Sequence, residues 1–470
     1  MTGNTTGAMR KAAVAQGSPR GGGNLGAGLV LLYAEEHLEL PSAWSLETPR
    51  VVIGREPSAD LFLPVQAVSR IHAEIAWESN RWMIRDLQSR NGVLLDGHPV
   101  KEAPLEESSE LRIGDALLKF VEVDASHYCT YRIDGTRSKD SKRPTSDTAL
   151  VGGLVMDRIA GELVRIAPSS LSVVVLGESG TGKEVAAREL HRWSGRRGHF
   201  RAVNCAALPA TLLESELFGY RKGAFSGADR DKPGLIRMAH EGTLLLDEIG
   251  DMPLEAQAKL LRVLQSRELL PLGATTPEVV DVRIVCATHR DLTRRVRTGQ
   301  FRNDLYARLN EYQVTLPPLR DRKEDLFLLV GTFLERYGRP DLLPSFGYML
   351  GLIHYDWPYN VRELEACVKR SIALGQERTL TEELLPDPVR ESMLEYGKVP
   401  PTAQSVPPSE RFLSSLGRTG SRAIPSDAEL RALLERHRGN VAAVGRELGK
   451  ARMQIHRWMQ RYGIDIGDYR

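Results

Sequence analysis

Cysteine is scarce. Four residues, Cys129, Cys205, Cys286 and Cys367, lie scattered through 470, with no CxxC pair and no histidine cluster at zinc-ligand spacing. This argues against a disulfide scaffold or a structural zinc module and points to a reducing, cytoplasmic compartment. Long apolar runs are missing too. The longest nearly apolar stretch, Leu326 to Leu334, is far below the ~20 residues needed to span a bilayer, so no membrane partner is expected. The opening residues, MTGNTTGAMRKAAVAQ, contain no apolar h-region, and no signal peptide is expected from them. Charge of one sign is lacking as well. The 63 Lys plus Arg against 61 Asp plus Glu give +2, which by itself advertises no nucleic-acid partner. What is present is 41% apolar residues, enough for packed cores. At about 100–200 residues per domain, the length implies two to four domains.

Charge becomes informative segment by segment. Residues 1–28 hold eight Gly, three basic residues and no acid, and read as a disordered tail. Residues 29–124 hold 9 basic and 17 acidic residues, a net of −8. Their short alternating stretches (VVIG, AEIAW, WMIRDL, LLKFVEV), broken by Asn91-Gly92 and Asp96-Gly97, predict an all-β sandwich. Residues 125–148 are polar and read as a linker. Over 149–385, apolar runs alternate with helical patterns, the signature of α/β structure around a parallel sheet. Residues 386–424 are rich in Pro and Ser, a second linker. Residues 425–470 return to helical periodicity with a net charge of +3, a basic surplus that the acidic segment masks in the whole-chain figure.

Gly177-Glu178-Ser179-Gly180-Thr181-Gly182-Lys183 follows the apolar strand Val173–Leu176 and opens a helix. This is the GxxxxGK phosphate loop in its required setting. Its glycines let backbone N–H groups close around phosphate oxygens, and the helix N-terminus adds the positive end of its dipole. Lys183 would reach the β- and γ-phosphates. The generic motif continues with Ser or Thr, which holds Mg2+; here Glu184 follows. Downstream, the apolar run Leu244-Leu245-Leu246 ends in Asp247 and Glu248. Asp247 is placed to hold Mg2+ or its water, and Glu248 to polarise the attacking water.

The residues around these acids extend the pattern. GESGTGKE, ESELFG, GAFSGA, GTLLLDEI, FRNDLYARL and LPPLRDR occur in order over roughly 150–385. Together they resemble the central domain of bacterial enhancer-binding proteins, the AAA+ ATPases that activate sigma-54 RNA polymerase. In that family Glu184 is the usual residue after the Lys. The resemblance implies an ATPase with a helical lid that uses ATP and Mg2+. Gly177 to Glu184 would surround the nucleotide. Thr288 and His289 would sit where a sensor reads the γ-phosphate, and Arg362, in WPYNVREL, matches the second sensor. Asn204 would hydrogen-bond Glu248 and relay the nucleotide state. Arg302 and Arg308 match arginines offered to the ATP of a neighbouring subunit, which implies a hexameric ring. The loop Gly223-Ala224-Phe225-Ser226-Gly227-Ala228 would contact sigma-54. Ser226 stands where Thr is usual and keeps the hydroxyl; Tyr359 stands where Gly is usual, at the turn entering a helix.

Two further resemblances flank this domain. Gly54-Arg55, Ser69-Arg70-Ile71-His72 and Asn91-Gly92 resemble a forkhead-associated (FHA) domain over 29–124, a fold that binds phosphothreonine peptides. Arg55 and Arg70 would supply charge-assisted donors to the phosphate, Ser69 a hydroxyl, and Asn91 a grip on the peptide backbone. Gly54 and His72 read as structural. No receiver pattern precedes the ATPase, so the expected input is a Ser/Thr kinase rather than a His kinase. The phosphothreonine would lie on another protein or on the linker, at Thr130, Thr136 or Thr145. At the other end, Leu430–Gly463 reads helix, helix, turn, helix and resembles the Fis-type helix-turn-helix. Ile455 and Met459 would face its core, and Trp458 reads as packing or as a groove or dimer contact. Arg452, Met453, Gln454, Arg457 and Arg461 would meet enhancer DNA, read by a dimer. Two other readings stay open: a DNA-binding regulator whose ATPase domain only oligomerises, and an AAA+ remodeller of an unrelated substrate.

Overall fold

The computed structural model describes residues 26–35, 40–134, 148–398 and 425–437, and in the C-terminal stretch positions 441, 444, 448, 455, 458, 459, 462–464 and 466–469. The chain divides into two compact units, Met1–Tyr396 and Gly397–Arg470.

The first unit begins with a β-sandwich of eleven strands. They are β1 (Gly28–Ala34), β2 (Ala43–Ser45), β3 (Arg50–Gly54), β4 (Leu61–Phe62), β5 (Ala73–Glu78), β6 (Arg81–Asp86), β7 (Val93–Leu95), β8 (His98–Val100), β9 (Glu102–Pro104), β10 (Glu110–Ile113) and β11 (Ala116–Val121). One sheet runs β2-β1-β11-β10-β7-β8 and the other β4-β3-β5-β6-β9. Period-2 alternation orients the half-exposed strands: Trp82 and Ile84 of β6 point inward while Arg81 faces water. Asp96-Gly97, both left-handed, closes the β7–β8 hairpin as its turn chemistry requires. By contrast, β1 and β11 are buried along their whole length, because helices cover the face that the sandwich core does not use. One of these is α1 (Ala125–Tyr128), packed on β1 and β2. The polar stretch 125–148 is therefore ordered where it begins, with Ile133 in the core. Two apolar anchors, Tyr128 and Ile133, decide this against a polar background.

The middle of the unit is an α/β layer. Its elements are α2 (Leu154–Ile166), β12 (Val173–Leu176), α3 (Lys183–Trp193), β13 (Phe200–Asn204), α4 (Ala210–Phe218), the pair β14 (Gly219–Tyr220) and β15 (Lys232–Pro233), α5 (Leu235–Met238), β16 (Thr243–Asp247), α6 (Leu254–Ser266), the pair β17 (Glu268–Leu269) and β18 (Glu278–Val279), β19 (Arg283–Thr288), α7 (Leu292–Arg297), α8 (Asn303–Leu309) and β20 (Tyr312–Thr315). The parallel sheet has the order β13-β16-β19-β12-β20. Its central strands are continuous apolar runs because both faces are covered. Parallel register brings Leu176 beside Thr288 and Asn204 beside Asp247. The chain therefore leaves β12, β13, β16 and β19 at one edge of the sheet, where open α/β sheets bind ligands.

A helical lid follows: α9 (Leu326–Arg336), α10 (Phe346–His354), α11 (Asn360–Leu374) and α12 (Asp387–Ser392). The fold runs past 385, the expected boundary, because Pro388 lies in the first turn of α12, where proline is tolerated, and Val389 is buried. Lid and sandwich share one apolar core. Among the described residues no helix is long and apolar enough to cross a membrane. The four cysteines are free, three of them buried. Burial pushes the Cys205 and Cys367 thiols up to about 12, which leaves them inert packing groups.

In the second unit, α13 (Asp427–Arg436) starts at a capping box of Ser426 and Glu429. Its Leu430 and Leu434 pack with Val441, Val444, Ile455, Trp458, Met459 and Ile464. Trp458 is thus a core residue. Arg452, Met453, Gln454, Arg457 and Arg461 lie outside the described residues.

Candidate functional site

The loop between β12 and α3 holds its shape by close backbone approach. Gly180 has φ +81°, and a Cβ there would stand 2.1 Å from the Tyr359 carbonyl oxygen of the lid. Tyr359 itself has φ −110°, a value open to any residue, so the departure from glycine is accommodated. The left-handed positions of that turn are Trp357 and Asn360. Lys183 is buried at the start of α3, its Nζ donating to the carbonyls of Gly177 (2.9 Å) and Glu178 (3.0 Å). Burial lowers its pKa, with the charges of Glu248 and Asp247 opposing. Thr181 Oγ1 donates to Glu178 O, and Arg362 Nη1 lies 3.4 Å from Ser179 Oγ. Glu184 is not gathered in: it is exposed and pairs with Arg188 one helical turn on.

The acids complete the cluster. Lys183 Nζ is 3.8 Å from Glu248 Oε1. Glu248 has φ +50°, an unfavourable backbone state for a non-glycine residue of the kind that collects at active sites. His289 Nδ1 is 2.9 Å from Glu248 Oε2, and Thr288 Oγ1 is 3.3 Å from the same oxygen. The two carboxylates are pushed in opposite directions. Burial and the charge of Glu248 raise Asp247. Burial alone would raise Glu248 too, but the His289 hydrogen bond and charge hold it below the ordinary carboxylate range. The bond to Glu248 correspondingly raises His289.

Asn204 departs from expectation. Its Nδ2 donates to Asp247 Oδ2 (3.2 Å), and its Oδ1 accepts from the N–H groups of Ala206 and Ala207. The cause is register: β13 pairs with β16 so that Asn204 lies opposite Asp247, while Glu248 turns away toward the end of β19. Two residues of the quoted motifs that were given no role in the sequence also enter the site. Arg320 forms a two-pronged pair with Glu178 (2.8 and 2.5 Å), and Asn360 Nδ2 donates to Ser179 O. Nothing in the spacing signals these pairs, since 142 residues separate Arg320 from Glu178.

Three groups lie apart from this cluster. Arg302 precedes α8 and Arg308 lies in its last turn; both are exposed, and Arg302 pairs with Asp304. The loop Gly223–Ala228 projects from β14 and β15. Arg221 and Lys222 tie its base to Asp231, and Gly223 N bonds Ala228 O across it. Phe225 is 46% exposed and leans edge-on against Tyr220 (4.9 Å between ring centroids). Ala224 rests against Gly273 of a second loop. Ser226 is exposed.

On the sandwich, three loops bring Arg55, Ser69, Arg70 and Asn91 together. Arg55 N donates to Ser69 O, Ser69 Oγ accepts from Arg90 N, and Asn91 Nδ2 donates to Ala67 O (2.7 Å). Arg55, Arg70 and Asn91 are exposed. Gly54 and His72 build the site from beneath. A Cβ at Gly54 would stand 2.0 Å from Arg70 O. Buried His72 takes Ser69 N–H on Nδ1 and meets Gly92 O with Nε2, and burial lowers its pKa, so it is neutral.

Fold and site together define an AAA+ ATPase with a helical lid and an FHA domain. The family model of the Sigma-54 interaction domain matches residues 153–315, that of the AAA+ ATPase lid domain 320–399, and that of the FHA domain 51–115. Regulatory protein AtoC of Escherichia coli (strain K12) is 42% identical over 325 residues, 68% of this chain and 68% of AtoC. Transcriptional regulatory protein ZraR of the same organism is 40% identical over 309 residues, 63% of this chain and 69% of ZraR. The match thus spans about two thirds of these relatives. Among solved structures, NtrX from Brucella abortus in complex with ATP is 31% identical, with 67% of this chain and 70% of NtrX covered and a TM-score of 0.49. The chain belongs to the family of sigma-54-dependent transcriptional regulators.

Proposed function

We propose that this regulator hydrolyses ATP in a hexameric ring to drive the Phe225 loop against sigma-54, so that RNA polymerase opens its promoter. The observation that carries the reading is the convergence of Lys183, Asp247, Glu248, Thr288 and His289 at one sheet edge of a domain that also presents an exposed Phe225. Lys183 binds phosphate, Glu248 orients and deprotonates the attacking water, and Thr288 with His289 holds Glu248 in place. Asn204 links the site to the base of α4 through Asp247. Half-buried Asp247, raised by burial and by the charge of Glu248, is a carboxylate that a cation would stabilise, and it suits Mg2+, which takes one or two carboxylates and otherwise phosphate and water oxygens. Mg2+ supplies charge neutralisation between the phosphates when bound. Gly177 to Lys183 and Arg362 would line the nucleotide, and Arg302 and Arg308 would act on the ATP of the adjacent subunit.

The outer domains supply address and input. The helices from Asp427 onward would place the protein as a dimer on enhancer DNA, in the cytoplasm. The FHA domain would read a phosphothreonine made by a Ser/Thr kinase. Its exposed Arg55 and Arg70 over a neutral His72 support that reading. Charge-assisted hydrogen bonds contribute about 1.5–3 kcal/mol each. Arg55→Ala is therefore expected to weaken phosphothreonine-peptide binding ~10- to 150-fold without unfolding the sandwich. A phosphopeptide library probed by calorimetry checks this; equal binding of the unphosphorylated peptides would remove the FHA reading.

A further inference from the structure

The sandwich is joined to the ATPase by more than its linker. Strand β1 packs on the second of the two 3-10 turns, Leu319–Asp321 and Lys323–Asp325, that lead into α9, and side chains of β10 and β11 reach the same segment. Lys119 Nζ donates to Glu324 Oε2 (2.8 Å) and to Asp321 O (2.9 Å). Lys323 Nζ donates to Glu110 Oε2 (2.9 Å), and His354 Nδ1 lies 3.6 Å from the other oxygen of Glu110. These four charged side chains, Lys119, Glu324, Lys323 and Glu110, are each less than a tenth exposed. Tyr33 of β1 adds a hydrogen bond to Pro344 O and a ring contact with Phe327.

The same segment grips the phosphate loop from its other side. Arg320 holds the Glu178 carboxylate with both nitrogens, and Arg322 Nη2 reaches Thr181 O (3.3 Å). Residues 320 and 322 thus face the nucleotide loop while 323 and 324 face the sandwich. At the far end of the β10–β11 hairpin, a Cβ on Gly114 would stand 2.7 Å from the Ala67 carbonyl, whose oxygen accepts the Asn91 amide. Contacts therefore run without a break from the phosphopeptide loops to Glu178.

We propose that Glu110 and Lys119 are positioning residues for the ATPase: by fixing Leu319–Asp325 they set, through Arg320 and Arg322, the shape of the phosphate loop, so that docking of the sandwich and nucleotide affinity are coupled. The physical reason lies in the buried ions. Apolar residues would glue two surfaces at least as well, whereas a buried ion pair holds one geometry and leaves an uncompensated charge in any other. Such an interface has discrete arrangements, and a ligand that prefers one of them shifts the balance. Coupling of this kind is reciprocal. The inference rests on the phosphate loop being a nucleotide site.

The test uses the full chain and ADP. Glu110→Gln is expected to weaken ADP binding within the ~5- to 150-fold range of ordinary coupling. The exchanged pair Glu110→Lys with Lys323→Glu is expected to recover most of the loss. In the unmodified chain, ADP is expected to slow amide exchange across 110–119 as well as across 177–183. An unchanged ADP affinity in a Glu110→Gln chain that merely melts earlier overturns the proposal. So does protection of 177–183 without 110–119, a result that needs no variant to fold. If Lys183→Ala binds ADP as tightly as the unmodified chain, the nucleotide-site reading itself fails.

Discussion

An Arg308→Ala chain is expected to bind ATP normally and to hydrolyse it ~10³- to 10⁵-fold more slowly, the range for loss of an arginine that neutralises the transferring phosphoryl group. Arg308 lies in the last turn of α8 and is exposed, in contrast to the buried Lys183. Arg302, at the start of the same helix, is exposed too and pairs with Asp304 only at the surface, a contact weak enough to be exchanged. An exposed guanidinium apart from the Lys183 cluster acts on ATP only by reaching across to another subunit. Mixing then becomes diagnostic. Arg308→Ala subunits have an intact phosphate loop, and Lys183→Ala subunits have an intact Arg308. Combined, they should regain a substantial share of wild-type turnover, although each alone is inactive. Turnover within tenfold of wild type for Arg308→Ala alone, or no gain on mixing, would remove the trans assignment.

Glu248→Gln should lower turnover by ~10²- to 10⁴-fold, the usual contribution of a positioned general base, while ATP still binds. Gln keeps the volume and an acceptor oxygen for His289 but cannot take a proton. The environment prepares Glu248 for this task. His289 holds its pKa below the ordinary value of 4.5, so the base is ionised throughout the neutral range, and wild-type activity should fall only on the acid side of that value. The partner titrates in the opposite sense. His289 is raised above 6.5 by Glu248, so the charged pair is complete below 6.5 and weakens as pH rises through the elevated His289 value. Stopped turnover with undiminished nucleotide affinity in Glu248→Gln is the expected pattern; loss of both would make Glu248 a binding group instead.

The sequence discloses the parts of this site that are local. The glycine-rich loop, the acids after an apolar strand and the Phe225 loop are contiguous, so residue type and spacing carry them. The sandwich is legible for the same reason, because one face of strands such as β6 alternates with water. What is hidden is long-range. Glu178 and Arg320 stand in two separate motifs, and nothing local says that they pair across 142 residues. Lys119 and Glu324 look like solvated residues, yet both are buried at a domain contact. In β1 and β11 burial on both faces removes the alternation that would mark one face as a docking surface. Asn204 shows how register overrides family expectation: its neighbour across the sheet is Asp247, so that is the carboxylate it holds. The boundary at 386 misled because prolines that suggest a linker also serve the first turn of α12.

In the proposed function, ATP hydrolysis at Lys183 and Glu248 acts on sigma-54 polymerase through the Phe225 loop. Promoter opening in vitro with sigma-54 polymerase, comparing the full chain with Phe225→Ala at saturating ATP, tests it most directly. Phe225 is exposed and touches Tyr220 only edge-on, so its removal should spare the fold and the nucleotide site. The wild-type chain is expected to open the promoter only with ATP, and Phe225→Ala not to open it while retaining ATPase activity. Opening by Phe225→Ala at the wild-type rate, or opening by the wild-type chain without ATP, would contradict the proposed function.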